Sequence, residues 1–292
     1  MRFLFIDHIT CLIPGKFTQG VKQVSSQDYY LTPSKAESPP HFVTAFIGEA
    51  IGQLAAWNVM QTLDFQYRPV AGVVAQVCPL RPVYVHENLQ LEATIEHLDE
   101  HAVHYHGQAL VDGQCVFTVE GALGPLLPMT DFIDTAEVKA QFEQLMQPSL
   151  VKISSSTPGA TMSEQLFQFD SITQIESGKR VLAQKKIVDT LPFFPDHFPC
   201  MPVLPMTALL ECKMNLAKWF LSQVAWGRQY QITALRKIKM NEFVRPGDVI
   251  DCEMQVLAHQ DKPLILRFRS EVAKKRVCVA DLVLTIDSQG LV

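Results

Sequence analysis

The sequence predicts an α+β protein made of two similar halves, each with one long apolar helix enclosed by an antiparallel sheet. Two observations lead to this prediction. First, short matching segments recur at an offset of 162 to 164 positions along the 292-residue chain. Second, each half contains one long apolar run followed by several segments with strand-like alternation. A helix that is apolar nearly all round must be enclosed, and a curved sheet wrapped about it is an economical enclosure.

The repeat rests on four pairs of matching residues that occur in the same order in both halves. Such an order at one spacing is hard to obtain by chance, so it indicates an internal duplication. We expect a first repeat over residues 1–125, a linker over 126–163 and a second repeat over 164–292. The pairs are Asp7 with Asp170, Glu49 with Glu211, Arg81-Pro82 with Arg245-Pro246, and Cys115-Val116 with Cys278-Val279.

Both halves are predicted to have the same element order: two short extended segments around a Gly-Lys turn, then the long helix, then four strands. The helices are expected at 42–63 and 206–224. The linker has a Pro- and Ser-rich composition, with a Ser/Thr/Pro run at 154–159 and a short helix near 135–145. The strands are expected at 71–80, 89–98, 102–111 and 114–122 in the first half, and at 230–239, 249–259, 264–272 and 276–287 in the second.

Composition excludes several classes of function. Twenty-five Lys and Arg against thirty Asp and Glu give a net charge of −5, so the overall charge does not indicate binding to nucleic acid. The most apolar stretch, 42–60, carries polar residues at helical spacing, so it predicts a buried helix and no membrane span. The apolar residues before Asp7 are too few to form the apolar core of a signal peptide. Seven cysteines without a Cys-x-x-Cys pair predict reduced thiols and a cytoplasmic protein.

The most distinctive stretch is a loop framed by four prolines, residues 193–205, which we call the His197 loop. Proline fixes its own φ and restricts the residue before it, so this loop is expected to be stiff. A stiff loop would hold the His197 imidazole in one orientation, as a catalytic base requires. Pro205 falls near the first turn of the second helix, whose free N–H groups could polarise a carbonyl group.

The pattern His-Phe-Pro-x-x-Pro-Val-x-Pro, with an acid fourteen residues after the histidine, resembles the 3-hydroxyacyl-[acyl-carrier-protein] dehydratases. That family has the hotdog fold, and its histidine and acid come from different subunits of a dimer. Its helical motif Glu-Ala-x-x-Gln is present here as residues 49–53, whereas the second half keeps Glu211 and has Asn215 in place of the glutamine. The first half lacks the histidine loop, since Lys35 stands fourteen residues before Glu49.

The resemblance implies a double hotdog, in which two antiparallel sheets, each wrapped around a long helix, are joined as a pseudo-dimer. It further implies one composite site that eliminates water from a 3-hydroxyacyl thioester without a metal or an organic cofactor. His197 would take the proton next to the thioester carbonyl, and Glu49, kept protonated by apolar neighbours, would donate to the departing hydroxyl. The implied substrate-binding residues are Gln53, Phe198, Pro199, Val203, Pro205, Met206 and Thr207, and a degenerate second site would comprise Lys35, Glu211 and Asn215.

Met206 departs from the family, which usually has glycine at that position. Its side chain is expected to narrow the acyl tunnel or to shift the donor. Two other functions stay open beside dehydration. One is a hotdog thioesterase, which needs no proline-framed histidine, and the other is a non-catalytic acyl-binding partner, which the presence of Met206 favours.

The remaining polar clusters have a simple structural interpretation. His101, His104 and His106 predict a solvated strand face and no metal site, because only the last two share a face of a strand. The expected partners are an acyl carrier protein or coenzyme A thioester as substrate, and a second copy of the pseudo-dimer. A set of positive residues is interpreted as solvated surface, with docking of an acidic carrier-protein helix as the alternative: Lys185, Lys186, Arg236, Lys237, Lys239 and Arg245.

Overall fold

One antiparallel sheet carries both halves of the protein. The structure is a computed structural model that describes residues 3–33, 39–147, 162–258 and 263–286. The first half contributes β1 (His8–Ile13), β2 (Phe17–Gln23), β3 (Tyr67–Pro69), β4 (Val73–Pro79), β5 (Asn88–Leu98), β6 (Ala102–Val111) and β7 (Gln114–Pro128). The second half contributes β8 (Ser171–Glu176), β9 (Arg180–Lys186), β10 (Tyr230–Met240), β11 (Val249–Ala258), β12 (Leu264–Val272) and β13 (Lys275–Ile286).

The strand order is symmetric about the junction of the two halves. Counted outward from the junction, the first half reads β4, β7, β6, β5, β2, β1 and the second reads β10, β13, β12, β11, β9, β8. The halves are joined by antiparallel pairing of β4 with β10, where Val77 lies opposite Leu235 and Val73 opposite Lys239. The predicted α+β double hotdog is therefore confirmed.

Two long helices lie in the core, one for each half. They are α1 (Thr44–Thr62) and α3 (Met206–Gln223), and they contact each other. Twelve residues of each helix are buried, so most of their surface is covered by the sheet, by the connecting loops and by the other helix. Among the described residues, no helix is both long and apolar enough to cross a membrane.

The connection between the halves contains α2 (Thr135–Met146). Its first turn is capped by the Asp134 carboxylate, which accepts hydrogen bonds from the backbone N–H groups of Ala136 and Glu137. The helix packs near β1, where the Leu145 carbonyl lies 2.8 Å from Nδ1 of His8. The predicted Ser/Thr/Pro run at 154–159 lies outside the described residues.

Strand β7 is six residues longer than the sequence predicts. Residues 126–128, expected in the linker, end this strand and pair with β3, which the sequence does not predict. The strand was expected to end at residue 122, directly after Gly121. Gly121 instead has φ of +56°, and the register with β6 shifts beside it, so the strand bends and continues.

Candidate active site

A cavity of about 360 Å³ lies where the two helices meet the junction of the sheet. Its lining comes from both halves: α1, β4 and β7 of the first, and α3, β10 and the His197 loop of the second. Glu49, Gln53, His197 and Thr207 all face this cavity. Most of the other lining residues are apolar, including Val74, Val77, Phe117, Leu235, Ile238 and Met240. The cavity therefore suits an apolar chain with one polar end.

The His197 imidazole is held by its own loop. Nδ1 lies 2.9 Å from the carbonyl oxygen of Val203, and the N–H of Val203 donates to the carbonyl oxygen of His197 at 3.0 Å. Because a carbonyl can only accept, Nδ1 carries the proton of the neutral ring and Nε2 is left with a free lone pair. The Phe198 ring stacks on the imidazole with a centroid distance of 4.1 Å.

Burial lowers the pKa of His197 below its ordinary value of 6.5. The nearby Glu49 and the hydrogen bond to the Val203 carbonyl act in the opposite direction, while the charge of Arg68 lowers this pKa further. The net direction is downward, so the imidazole is neutral at pH 7. A neutral imidazole with a free Nε2 is competent as a proton acceptor.

The first half and the linker support the His197 loop from outside. The backbone N–H of Phe3 donates to the Asp196 carboxylate at 2.7 Å, and the Phe3 ring meets the His197 ring edge to face at 5.4 Å. The Phe132 carbonyl accepts from the N–H of Cys200 at 2.9 Å. The loop therefore depends on contacts from two other parts of the chain as well as on its prolines.

The Glu49 carboxylate receives one donor from each half. Thr207 of α3 donates through its hydroxyl to Oε2 at 2.6 Å, and Gln53 of α1 donates to Oε1 at 3.1 Å. Gln53 is oriented in turn by the N–H of Phe5, which donates to its Oε1 at 3.0 Å. Glu49 also lies close enough to His197 for its charge to raise the pKa of that imidazole. The two side chains thus share one site across the seam.

The surroundings of Glu49 differ from the expected apolar pocket. The four apolar residues on which that expectation rested, Phe46, Ile47, Ile51 and Leu54, are fully buried in the core. The carboxylate itself meets hydroxyl and amide donors. Helical spacing explains the difference, because residues close to Glu49 in sequence mostly occupy other faces of the helix.

Two further polar side chains line the cavity, and the sequence did not single out either. Arg68 on β3 has its guanidinium carbon 4.2 Å from the Phe198 ring centroid, and burial lowers its pKa to about 10. Tyr105 on β6 has its hydroxyl beside Gly52 of α1, and burial, with a contribution from Glu49, raises its pKa. Tyr105 alternates with His104 and His106, so strand periodicity could have placed it facing α1. No comparable signal marks Arg68.

The other predicted substrate-binding residues fall into two groups. Phe198, Val203 and Met206 line the main cavity, as Gln53 and Thr207 do. Pro205 is buried at the N-cap of α3 and is not part of the lining. Pro199 is exposed and lines a second, smaller cavity of about 90 Å³ that shares Gln53, Ala56, Arg68 and His197 with the first.

The residues of the predicted second site make structural hydrogen bonds. Glu211 is buried and accepts from the N–H of Ala45, the second residue of α1, at 3.1 Å. Burial raises the pKa of Glu211. Asn215 donates to the carbonyl of Phe167 at 3.1 Å. Lys35 lies outside the described residues.

The positive residues are exposed, with one exception. Lys185 is buried and donates to the carbonyl of Gln168 at 2.7 Å, so its assignment to the solvated surface is wrong. It is the inward-facing member of alternating strand β9, whereas Lys186 faces solvent. Arg236, Lys237, Lys239 and Arg245 are exposed.

Among the described residues, no group of three or more His, Cys, Asp or Glu side chains could hold a metal ion.

The fold and this cavity define a double hotdog protein with a His and a Glu brought together from different halves. Residues 173–281 match the family model of the ApeI-like proteins, described as ApeI dehydratase. The chain is also similar to two proteins named 3-hydroxyacyl-[acyl-carrier-protein] dehydratase FabZ. The predicted resemblance to hotdog-fold dehydratases is confirmed by these matches.

The FabZ of Pediococcus pentosaceus is 28% identical over 115 residues, which are 39% of this chain and 77% of that protein. The FabZ of Desulforamulus reducens is 37% identical over 90 residues, or 30% of this chain and 63% of that protein. Among solved structures, an acyl-ACP thioesterase from Bacteroides thetaiotaomicron has a TM-score of 0.54 at 9% identity, covering 91% of this chain and 98% of its own. A MaoC-like dehydratase has a TM-score of 0.51 at 11% identity, covering 94% and 98%. These structural similarities concern the fold alone.

Proposed function

We propose that this protein is a hydro-lyase that converts 3-hydroxyacyl thioesters into trans-2-enoyl thioesters at one composite site per chain. The observation that carries the proposal is the meeting of His197 and Glu49 in one largely apolar cavity. The similarity to proteins named as dehydratases supports the reaction class. Residues 1–125 and 164–292 would be the two repeats, each supplying one member of the pair, with 126–163 as the linker.

His197 is the base in this proposal. Its neutral ring has Nδ1–H directed at the Val203 carbonyl, so Nε2 can accept the proton from the carbon next to the thioester carbonyl. The lowered pKa keeps the ring unprotonated and ready at neutral pH. The stiff loop and the Phe198 stack would hold Nε2 in place during the transfer.

Glu49 is the acid. In the reacting state that we propose, His197 is neutral and one proton is on the Glu49 carboxyl, which passes it to the departing 3-hydroxyl to give water. Thr207 and Gln53 then stabilise the resulting carboxylate through hydrogen bonds to its two oxygens. Moving the C2 proton from His197 to Glu49 restores the pair for the next turnover.

The start of α3 would receive the thioester carbonyl. Met206 and Thr207 are its first two residues, and both line the cavity. Free N–H groups in the first turn of a helix, together with the positive end of its dipole, stabilise negative charge on a carbonyl oxygen. The Met206 side chain at this point would limit the width available to the acyl group.

We also propose that the substrate arrives on an acyl carrier protein. Asn241 and Glu242 line the cavity and are exposed, so the cavity reaches the surface there. Lys237 and Lys239 are exposed just before them in the chain. An acidic carrier helix would be attracted to positive charge beside the opening.

Incubation of the protein with a 3-hydroxyacyl thioester tests the reaction. The proposal expects enoyl absorbance without release of thiol, and a loss of about 10²–10⁴ in turnover for both His197→Ala and Glu49→Gln. His104→Ala is the matched control, because His104 is exposed on β6, and it should leave the rate unchanged. Free thiol would instead mean a thioesterase, and neither product would mean an acyl-binding module.

The carrier preference has its own test. Replacing Lys237 and Lys239 together by glutamate should raise KM for a carrier-protein substrate and leave KM for the matching coenzyme A substrate unchanged. Equal effects on both substrates would contradict the docking proposal.

A further inference from the structure

A single arginine stands beside the proposed catalytic pair. Arg68 is the only Lys or Arg among the described residues that line either cavity. It comes from β3, which pairs with β7 outside the main strand order, and the second half has glutamine at the position 163 residues later. Backbone pairing of Arg68 with Leu127 of β7 fixes its main chain. The site therefore contains a cation that the duplication does not explain.

No described carboxylate forms a direct ion pair with the Arg68 guanidinium. Within the described parts of the chain, no side chain or carbonyl accepts a hydrogen bond from it, and its close contact is the face of Phe198 at 4.2 Å. Phe198 also stacks on His197, so one ring touches both the cation and the base. A cation on an aromatic face is held in place while its N–H groups remain free.

The charged and titratable groups around the pair come from several elements. Glu49 lies on α1, Tyr105 on β6, and His197 and Asp196 on the His197 loop, while Glu137 of α2 lies at the exposed end of the smaller cavity. Arg68 interacts with Glu49 and with His197 through its charge. It remains charged at neutral pH, because burial brings its pKa down only to about 10.

We propose that Arg68 is a positioning residue that sets the distribution of charge over Glu49 and His197, keeping the imidazole neutral and stabilising the carboxylate formed when Glu49 gives up its proton. This inference rests on the proposed dehydration. A fixed cation opposes a second positive charge on His197, so the base stays available. The same cation stabilises negative charge as it develops on Glu49, and a largely apolar cavity strengthens both effects.

Three substitutions separate charge from packing. Arg68→Met keeps an unbranched apolar stem and removes the charged guanidinium, whereas Arg68→Lys keeps the charge. Arg68→Gln supplies a second neutral side chain if Arg68→Met does not fold. The matched control is Lys139→Met, which removes a cation 5.7 Å from the Phe65 ring, away from both cavities.

The first measurement does not require activity. Histidine labelled with ¹³C at Cε1 allows the His197 titration to be followed by NMR, with the signal assigned by its loss in His197→Asn. Arg68→Met should raise the pKa of His197 by about one unit, Arg68→Lys should restore most of the difference, and Lys139→Met should change nothing. An unchanged His197 titration in a folded Arg68→Met or Arg68→Gln protein overturns the proposal.

The second measurement is the rate of dehydration. Arg68→Met should lower kcat about 10- to 100-fold with little change in KM, and Arg68→Lys should recover most of that loss. A shifted titration with an unchanged kcat would overturn the part of the proposal that concerns Glu49. If the Arg68 variants shift the His197 titration as expected but wild-type protein shows no dehydration, the proposed function fails while the influence of Arg68 on His197 stands.

Discussion

Replacing Thr207 by valine removes one hydroxyl and leaves a side chain of closely similar shape. It tests whether α3 of the second half orients Glu49 of the first. The Thr207 hydroxyl lies 2.6 Å from Oε2 of Glu49, a short distance that is typical of a hydrogen bond to a carboxylate. Such a bond contributes about 1.5–3 kcal/mol, so its loss in the transition state should lower kcat/KM about 10- to 150-fold.

The assay is enoyl formation from a single 3-hydroxyacyl thioester, with thermal unfolding measured on the same preparations. Thr207→Ser is the matched control, because it restores the donor, and it should stay within about three-fold of wild type, the loss of one buried methyl group being its main cost. If Thr207→Val matched wild type while Glu49→Gln was inactive, the hydrogen bond across the seam would have no part in catalysis.

Two further predictions concern the second site and the base. Glu211→Gln should lower kcat/KM less than about three-fold, against about 10²–10⁴ for Glu49→Gln, because Glu211 accepts a hydrogen bond from the backbone of α1. Equal losses of kcat/KM in the two variants, measured by steady-state kinetics, would contradict a single site. The pKa of His197 is lowered from 6.5, and activity requires the neutral ring, so kcat/KM should be kept as pH falls through 6.5 and lost only below it. An acid limb above pH 6.5 would mean that the imidazole is not the neutral base described here.

The repeat allowed most of the fold to be predicted. Matching residues at one offset indicated two copies of one unit, and alternation then placed strands β6 and β12 at their observed bounds. Prediction failed at residues 123–128, which were expected to follow the end of the strand. Whether a glycine ends a strand or bends it depends on the neighbouring strand, and here β6 and β3 both continue the pairing.

The candidate site could be predicted only in part. The proline frame drew attention to His197 and the family motif to Glu49, and Gln53 and Thr207 were expected to bind substrate. The hydrogen bonds by which these two residues orient Glu49 could not be predicted. Thr207 donates to Glu49 from 158 positions away, and that contact depends on how α1 and α3 cross. Arg68 follows a helix in an unremarkable Tyr-Arg-Pro segment, and only tertiary packing brings it to the cavity.

The environment of the acid shows the same limit. The apolar residues near Glu49 in sequence predicted an apolar pocket around its carboxyl group. A helix distributes such neighbours around its axis, however, and the face that carries Glu49 also carries Gln53. A similar error placed Lys185 on the surface, since charge alone does not show which face of β9 a lysine occupies. In both cases the sequence shows which residue types are present, but it does not show the direction in which a side chain points.

The central claim is that His197 and Glu49 act as one unit across the seam of the two halves. The most direct measurement is kcat/KM for wild type, His197→Ala, Glu49→Gln and the double variant. When two groups act together, the effects of removing them are not additive. The kcat/KM of the double variant should therefore be no more than about ten-fold below that of the less active single variant. If the two losses multiplied, to about 10⁴–10⁸ in total, the two groups would be acting independently and the composite site would be contradicted.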